Sequence, residues 1–201
     1  MATEPLLKRG FKAKAEKLAI EYREKLLLHA CAPICAFKLA ANLNVPIYSA
    51  TEFLTLPDEM TRLAASNGDA CGWSALTMTT KANNKIIIHN PYHSAARQQS
   101  NIMHELAHII CLHKIKELDH STPVPIGMRH FDEIEEEEAK CLGATLQISR
   151  PALLWSIKRK MNNTEIAAHF NASAEMVAYR LNTSGVTKQS YYINKKNLIS
   201  K

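Results

Sequence analysis

Apolar positions along this chain recur first at helical spacing, then in β-rich runs, then at helical spacing again. Phe11, Ala15, Leu18, Tyr22 and Leu26 lie three or four apart with Lys and Glu between them, which predicts an amphipathic first helix over 11–28. The stretch Ala30 to Pro33 breaks that pattern. Phe37 to Leu43 predicts a second short helix, Val45 to Tyr48 a brief strand, and Met60 to Ala65 another helix before a turn at Asn67-Gly68-Asp69. Trp73 to Thr80 and Lys85 to His89 are rich in Thr and Ile and are separated by Lys81 to Asn84, so they read as a β-hairpin ended by Asn90-Pro91.

The hairpin runs almost directly into a longer helix that starts near Ser94 or Ala95. The strand just before this helix is the expected free sheet edge, where an extended peptide would be held through main-chain hydrogen bonds. Pro123, Pro125 and Gly127 mark Ile115 to His130 as a loop of the kind that shapes a substrate cleft. His113, His120 and His130 flank or lie in it; each is open as a third ligand or a transition-state donor, and surface placement is the favoured reading for all three. Glu133 to Ile148 predicts the next helix, whose inward face is Ala139, Leu142, Gly143 and Leu146. Its small residues would let it approach a neighbouring helix closely. Further on, Asn163 to Phe170, a turn at Asn171 to Ser173, and Ala174 to Asn182 read as a helix-turn-helix-like pair. The expected class is α+β, mostly helical, with a small sheet or hairpin beside the long helix. The expected divisions are a domain over 1–155 with its core at about 70–155, a helical subdomain over 156–189, and a polar tail over 190–201.

The long helix carries the chemistry. His104-Glu105-Leu106-Ala107-His108 is an H-E-x-x-H motif inside an apolar run of Ile102, Met103, Leu106, Ile109 and Ile110. Residues four apart share a helix face, so His104 and His108 can address one metal ion, while Glu105 reaches a water beside it. A catalytic zinc site needs a third protein ligand and one open position. The acidic run Glu133 to Glu138 is the expected source. Periodicity alone leaves Glu135, Glu136 and Glu138 as alternatives, and acids in a first turn also complement the helix dipole.

Charge and cysteine content refine this picture. Of the 201 residues 46% are hydrophobic, as in a globular protein, and the net charge is +6. From Arg150 onward nine Lys or Arg stand against Glu165 and Glu175, a net of +7, which leaves −1 for residues 1–149. This basic excess suits either an anionic partner, nucleic acid or an acidic protein surface, or a merely solvated basic tail, with Arg180 as the candidate phosphate contact. Ala174, Glu175 and Ala178 offer little for reading bases, so DNA is the alternative partner and not the favoured one. Five cysteines without paired spacing read as reduced thiols of a cytoplasmic protein. No apolar run has the ~18 residues of a membrane span, and the acids Glu16, Glu21 and Glu24 argue against a transit peptide.

The motif, the upstream Asn90-Pro91 with Arg97, and Glu136-Glu137-Glu138-Ala139 leading into Leu142-Gly143-Ala144-Thr145-Leu146 resemble the ImmA/IrrE family of small metallopeptidases, over roughly residues 70–155. The sequence departs from the family pattern at Ser149, where Pro is common, with Pro151 two positions later. The resemblance implies a gluzincin-like fold, Zn²⁺ held by His104, His108 and Glu136, and Glu105 as general base. It also implies a protein substrate such as a helix-turn-helix repressor, whose cleavage derepresses a mobile element or stress genes. His93, Tyr92 and Arg97 are the nearby candidates for a transition-state donor or a supporting role. The alternative reading is a non-catalytic DNA-binding or sensor protein with a structural or regulatory metal site. An intact Glu105 favours the enzyme, since a structural site has no need of a general base.

Overall fold

Helix α1, Phe11–Lys25, follows the expected amphipathic pattern and buries Phe11, Ala15, Ala19 and Tyr22. It ends ahead of residue 28 because Leu27 turns left-handed, letting Leu28 N–H return to Arg23 O. The computed structural model describes residues 6–65, 72–113 and 132–189. The expected turn at 67–69, the loop at 115–130 with His120 and His130, and the tail at 190–201 lie outside the described residues.

After α1 come α2 (Ala36–Asn42), strand β1 (Ile47–Ser49) and α3 (Pro57–Ala64), then β2 (Ala75–Thr79) and β3 (Lys85–His89). The hairpin forms as expected: β2 pairs antiparallel with β3, opposite Thr77 and Ile87, and Asn83 takes the left-handed position that its loop requires. β1 pairs parallel with the other side of β3, with Ile47 opposite Ile87. The sheet order β1-β3-β2 therefore corrects the expectation that the strand before the long helix is a free edge. Among the described residues β3 is central, and β2 is the open edge nearest the motif. A local hairpin pattern cannot reveal the third strand, because parallel pairing joins segments about forty residues apart through a crossover.

The long helix α4, Ala95–Cys111, is capped by Ser94, whose Oγ accepts from Arg97 N. Helix α5, Glu133–Gln147, is capped by Asp132 and carries Glu133, Glu135 and Glu136 in its first turn. The two pack against each other, with α1 behind them. Ile102, Met103, Leu106 and Ala107 of α4 meet Ala139, Leu142 and Leu146 of α5 in one buried cluster. Each large aliphatic side chain so buried contributes about 1.5–3 kcal/mol. Gly143 sets the spacing: a Cβ there would lie 3.1 Å from Met103 O and 3.2 Å from His104 Cα and N. These are backbone atoms of the motif's first residue and of the residue before it, a clash that no side-chain movement can relieve. Gly143→Ala is therefore expected to cost about 1–3 kcal/mol. Chemical denaturation checks this, and an unchanged midpoint would mean that α4 gives way freely.

Helices α6 (Arg150–Lys158), α7 (Asn163–Phe170) and α8 (Ala174–Ser184) surround a second cluster of Ile148, Leu153, Ile166, Phe170 and Val177. Ser149 caps α6, and Pro151 sits in its first turn, where the lack of an N–H costs nothing. Ser149 therefore starts α6 without a Pro at its own position. Asn171 is left-handed and Ser173 caps α8, so the helix-turn-helix-like bend forms as expected.

Two buried arginines bolt this unit to the rest through the last turn of α5. Arg23 donates to Leu146 O at 2.9 Å and Gln147 O at 3.3 Å, and also to Ala19 O and Ala32 O. Burial pushes its guanidinium down to about 10, still charged at neutral pH. Arg180 donates to Ile148 O at 2.8 Å and to the Glu16 carboxylate. At 3% exposure Arg180 has no reach to a phosphate, which corrects its assignment as a DNA contact. Its charge is spent inside because the C-terminal unit needs a tie to α1. No helix among the described residues is long and apolar enough to cross a membrane.

Candidate metal centre

On α4, the four-residue step sets the His104 and His108 rings on one face with their Nε2 atoms 3.1 Å apart. Across the helix pair, Glu136 brings Oε2 to 3.2 Å from His104 Nε2 and Oε1 to 3.0 Å from His108 Nε2. The three residues thus offer donor atoms to one point. Glu138, one of the alternatives, is turned toward Lys8 and His113 instead. Glu135 is half-buried and makes no such contact.

The triangle fits a metal better than it fits a hydrogen-bonded cluster. Glu136 Oε1 is buried and has no hydrogen bond, although His108 Nε2 is only 3.0 Å away. The two atoms are close without pointing at one another. Donors about 2.0 Å from a tetrahedral ion stand ~3.3 Å apart, close to the separations here, and two imidazoles with a carboxylate suit Zn²⁺. Burial pushes the Glu136 carboxyl up, but the His104 and His108 rings outweigh it and hold the group down to about 2. It is therefore ionised, as a ligand must be. Side-chain exposure is 32% for His104 and for Glu136 but 11% for His108, so the triangle is open on the His104–Glu136 side.

Glu105 is buried beside these residues and accepts a 2.6 Å hydrogen bond from Thr77 Oγ1 on β2. The edge strand therefore orients the carboxylate of the motif. The sequence of residues 53–182 matches the IrrE N-terminal-like domain, a peptidase family, over well more than half of the chain. The chain belongs to this metallopeptidase family. No curated protein matches it at significant similarity.

The match of this IrrE-like chain runs from just before α3 into α8, so it takes in the β2–β3 hairpin, α4, α5 and nearly all of the second apolar cluster, while α1, α2 and β1 of the first cluster lie ahead of it. Its three proposed supporting residues are dispersed. His93 is 3% exposed and lies beside Asn101, one turn before the motif on α4. The Asn101 amide nitrogen lies 3.3 Å from His93 Nδ1, and the other ring nitrogen, Nε2, is buried with no partner among the described residues. Tyr92 is 38% exposed, and only its backbone N–H is engaged, by Asn90. Arg97 reaches Ser74 Oγ at 3.5 Å and lines a cavity of about 510 Å³ with Ser100, Lys140 and Tyr179.

The places of two residues of the IrrE-like site were not legible in the sequence. Thr77 lies 28 residues from Glu105, in a strand where Thr is commonplace. His113 was expected at the surface, yet its side chain is 6% exposed and its Nδ1 is 2.9 Å from His108 Nδ1. The left-handed turn at Leu112 folds it back onto α4, a bend that a Leu does not announce. The described cysteines Cys31, Cys35, Cys111 and Cys141 are all unpaired.

Proposed function

We propose that this protein is a zinc endopeptidase that hydrolyses a peptide bond in a protein substrate, with a helix-turn-helix transcriptional repressor as the substrate class. The observation that carries the reading is the convergence of His104, His108 and Glu136 beside a buried Glu105. A structural site would close its fourth position and would not need the carboxylate. Metallopeptidase family membership supports the same chemistry.

His104, His108 and Glu136 would hold the ion. When bound, it supplies Lewis acidity to the scissile carbonyl and acidifies water toward a pKa of ~7. Glu105 takes the proton of the attacking water and hands it to the leaving amine. Thr77 keeps the Glu105 carboxylate in one orientation, so proton transfer does not wait on a rotamer search. The β2 edge is the place for an extended substrate, held by its main chain.

Metal analysis of the purified protein after zinc supply tests this reading. Roughly one zinc per chain is expected in the parent, with less than about a tenth of that in His108→Ala and Glu136→Ala. A parent that takes up no zinc, or a Glu136→Ala variant that keeps its full share, defeats the proposed site.

A further inference from the structure

His113, Glu138 and the Nδ1 side of His108 form a buried chain that the proposed reaction does not use. Leu112 ends α4 with φ 59° while its side chain is 86% exposed. Left-handed backbone is unfavourable for a leucine, and the exposed side chain gains little there to offset it. The turn is secured instead by His113 N–H, which returns to His108 O at 3.0 Å. It swings the His113 ring against that of His108, with centroids 5.0 Å apart. His113 Nδ1 then lies 2.9 Å from His108 Nδ1, and His113 Nε2 lies 3.2 Å from Glu138 Oε2. Side-chain exposure is 6% for His113 and 10% for Glu138, so water does not replace these bonds. Lys8 faces the far carboxylate oxygen at 3.7 Å from an exposed position and contributes little.

Two Nδ1 atoms at 2.9 Å share one proton. His108 Nε2 faces the ligand triangle and must be bare to bind a metal, so the His108 proton sits on Nδ1 and is donated to a bare His113 Nδ1. His113 then carries its own proton on Nε2 and donates it to Glu138. Every atom in the chain has one consistent role.

We propose that His113, backed by Glu138, is a positioning residue that locks His108 in the tautomer and ring orientation needed for metal coordination through Nε2. The proposal rests on His108 being a metal ligand. Groups behind a ligating histidine typically set metal affinity by 10–100-fold.

Zinc affinity, measured on the full chain by competition with a chelator, is expected to fall by about 10–100-fold in His113→Phe. His113→Asn places an amide oxygen where Nδ1 stood and should recover most of that loss. His113→Gln places its amide where Nε2 stood and should not. In the metal-free protein at mildly alkaline pH, long-range ¹H–¹⁵N spectra should show His108 protonated on Nδ1 in the parent and shifted toward Nε2–H in His113→Phe. Parent-like affinity with an unchanged tautomer in His113→Phe overturns the proposal, as does rescue by Gln in place of Asn. If the Phe variant fails to fold, the Asn and Gln pair decides. A parent that binds no zinc defeats the ligand reading and the coordination role with it, while a His108 tautomer that still shifts in His113→Phe shows separately that His113 sets that proton.

Discussion

Glu105→Gln is expected to lower the rate of peptide-bond cleavage by about 10²–10⁴-fold while leaving the zinc content at the parent level. Glutamine has the shape of glutamate, and its amide oxygen can still accept the Thr77 hydroxyl proton that holds Glu105 at 2.6 Å. The three ligand side chains are untouched. What is lost is a group that can take a proton from water and return it to an amine. The expected rate loss corresponds to about 3–5 kcal/mol at 1.36 kcal/mol per decade. Single-turnover cleavage of candidate repressors by zinc-loaded parent and variant measures it. Parent-like cleavage by Glu105→Gln would remove Glu105 from proton transfer, and a variant that also loses zinc would show that its carboxylate supports the ligands instead.

Arg180→Met is expected to destabilise the fold by about 2–3 kcal/mol, lowering the melting temperature by roughly 4–12 °C. Methionine fills much of the volume but donates to neither Ile148 O nor Glu16. Breaking a fully buried pair commonly costs about 3–5 kcal/mol, because the remaining charge is stranded. Here the loss falls lower, since the Glu16 side chain is 23% exposed and its other oxygen keeps the Arg150 N–H at 2.8 Å. Thermal unfolding of parent and variant reads the effect, and a duplex titration shows whether DNA affinity moves with it. An equally stable Arg180→Met protein that had lost DNA affinity would return Arg180 to the surface and revive its role as a phosphate contact.

Elements with local causes were readable from residue order. The hairpin, α4 with its Ser94 cap, α5 with its acidic first turn and the Asn171 bend all rest on periodicity and capping within about fifteen residues. His104, Glu105 and His108 belong to the same class, because a four-residue step on a helix is enough to pair two rings. The choice among Glu135, Glu136 and Glu138 was of a different kind. Periodicity left it open, the family resemblance favoured Glu136, and the packed α4–α5 pair brings Glu136 to both rings while turning Glu138 to His113.

Helical phase and turn chemistry are properties of neighbouring residues, so the order of amino acids was sufficient for the metal-facing side of α4 and for most element boundaries. The partner of Glu105, the burial of His113 behind His108, the central place of β3 and the internal use of Arg180 depended on the fold. Those pairs lie 28, 5, about 40 and 164 residues apart. The distant ones meet only because the sheet and the helices pack around shared cores. The near one meets because an exposed leucine adopts a left-handed turn that its side chain does not favour, and hydrogen bonds of the surrounding structure hold it there.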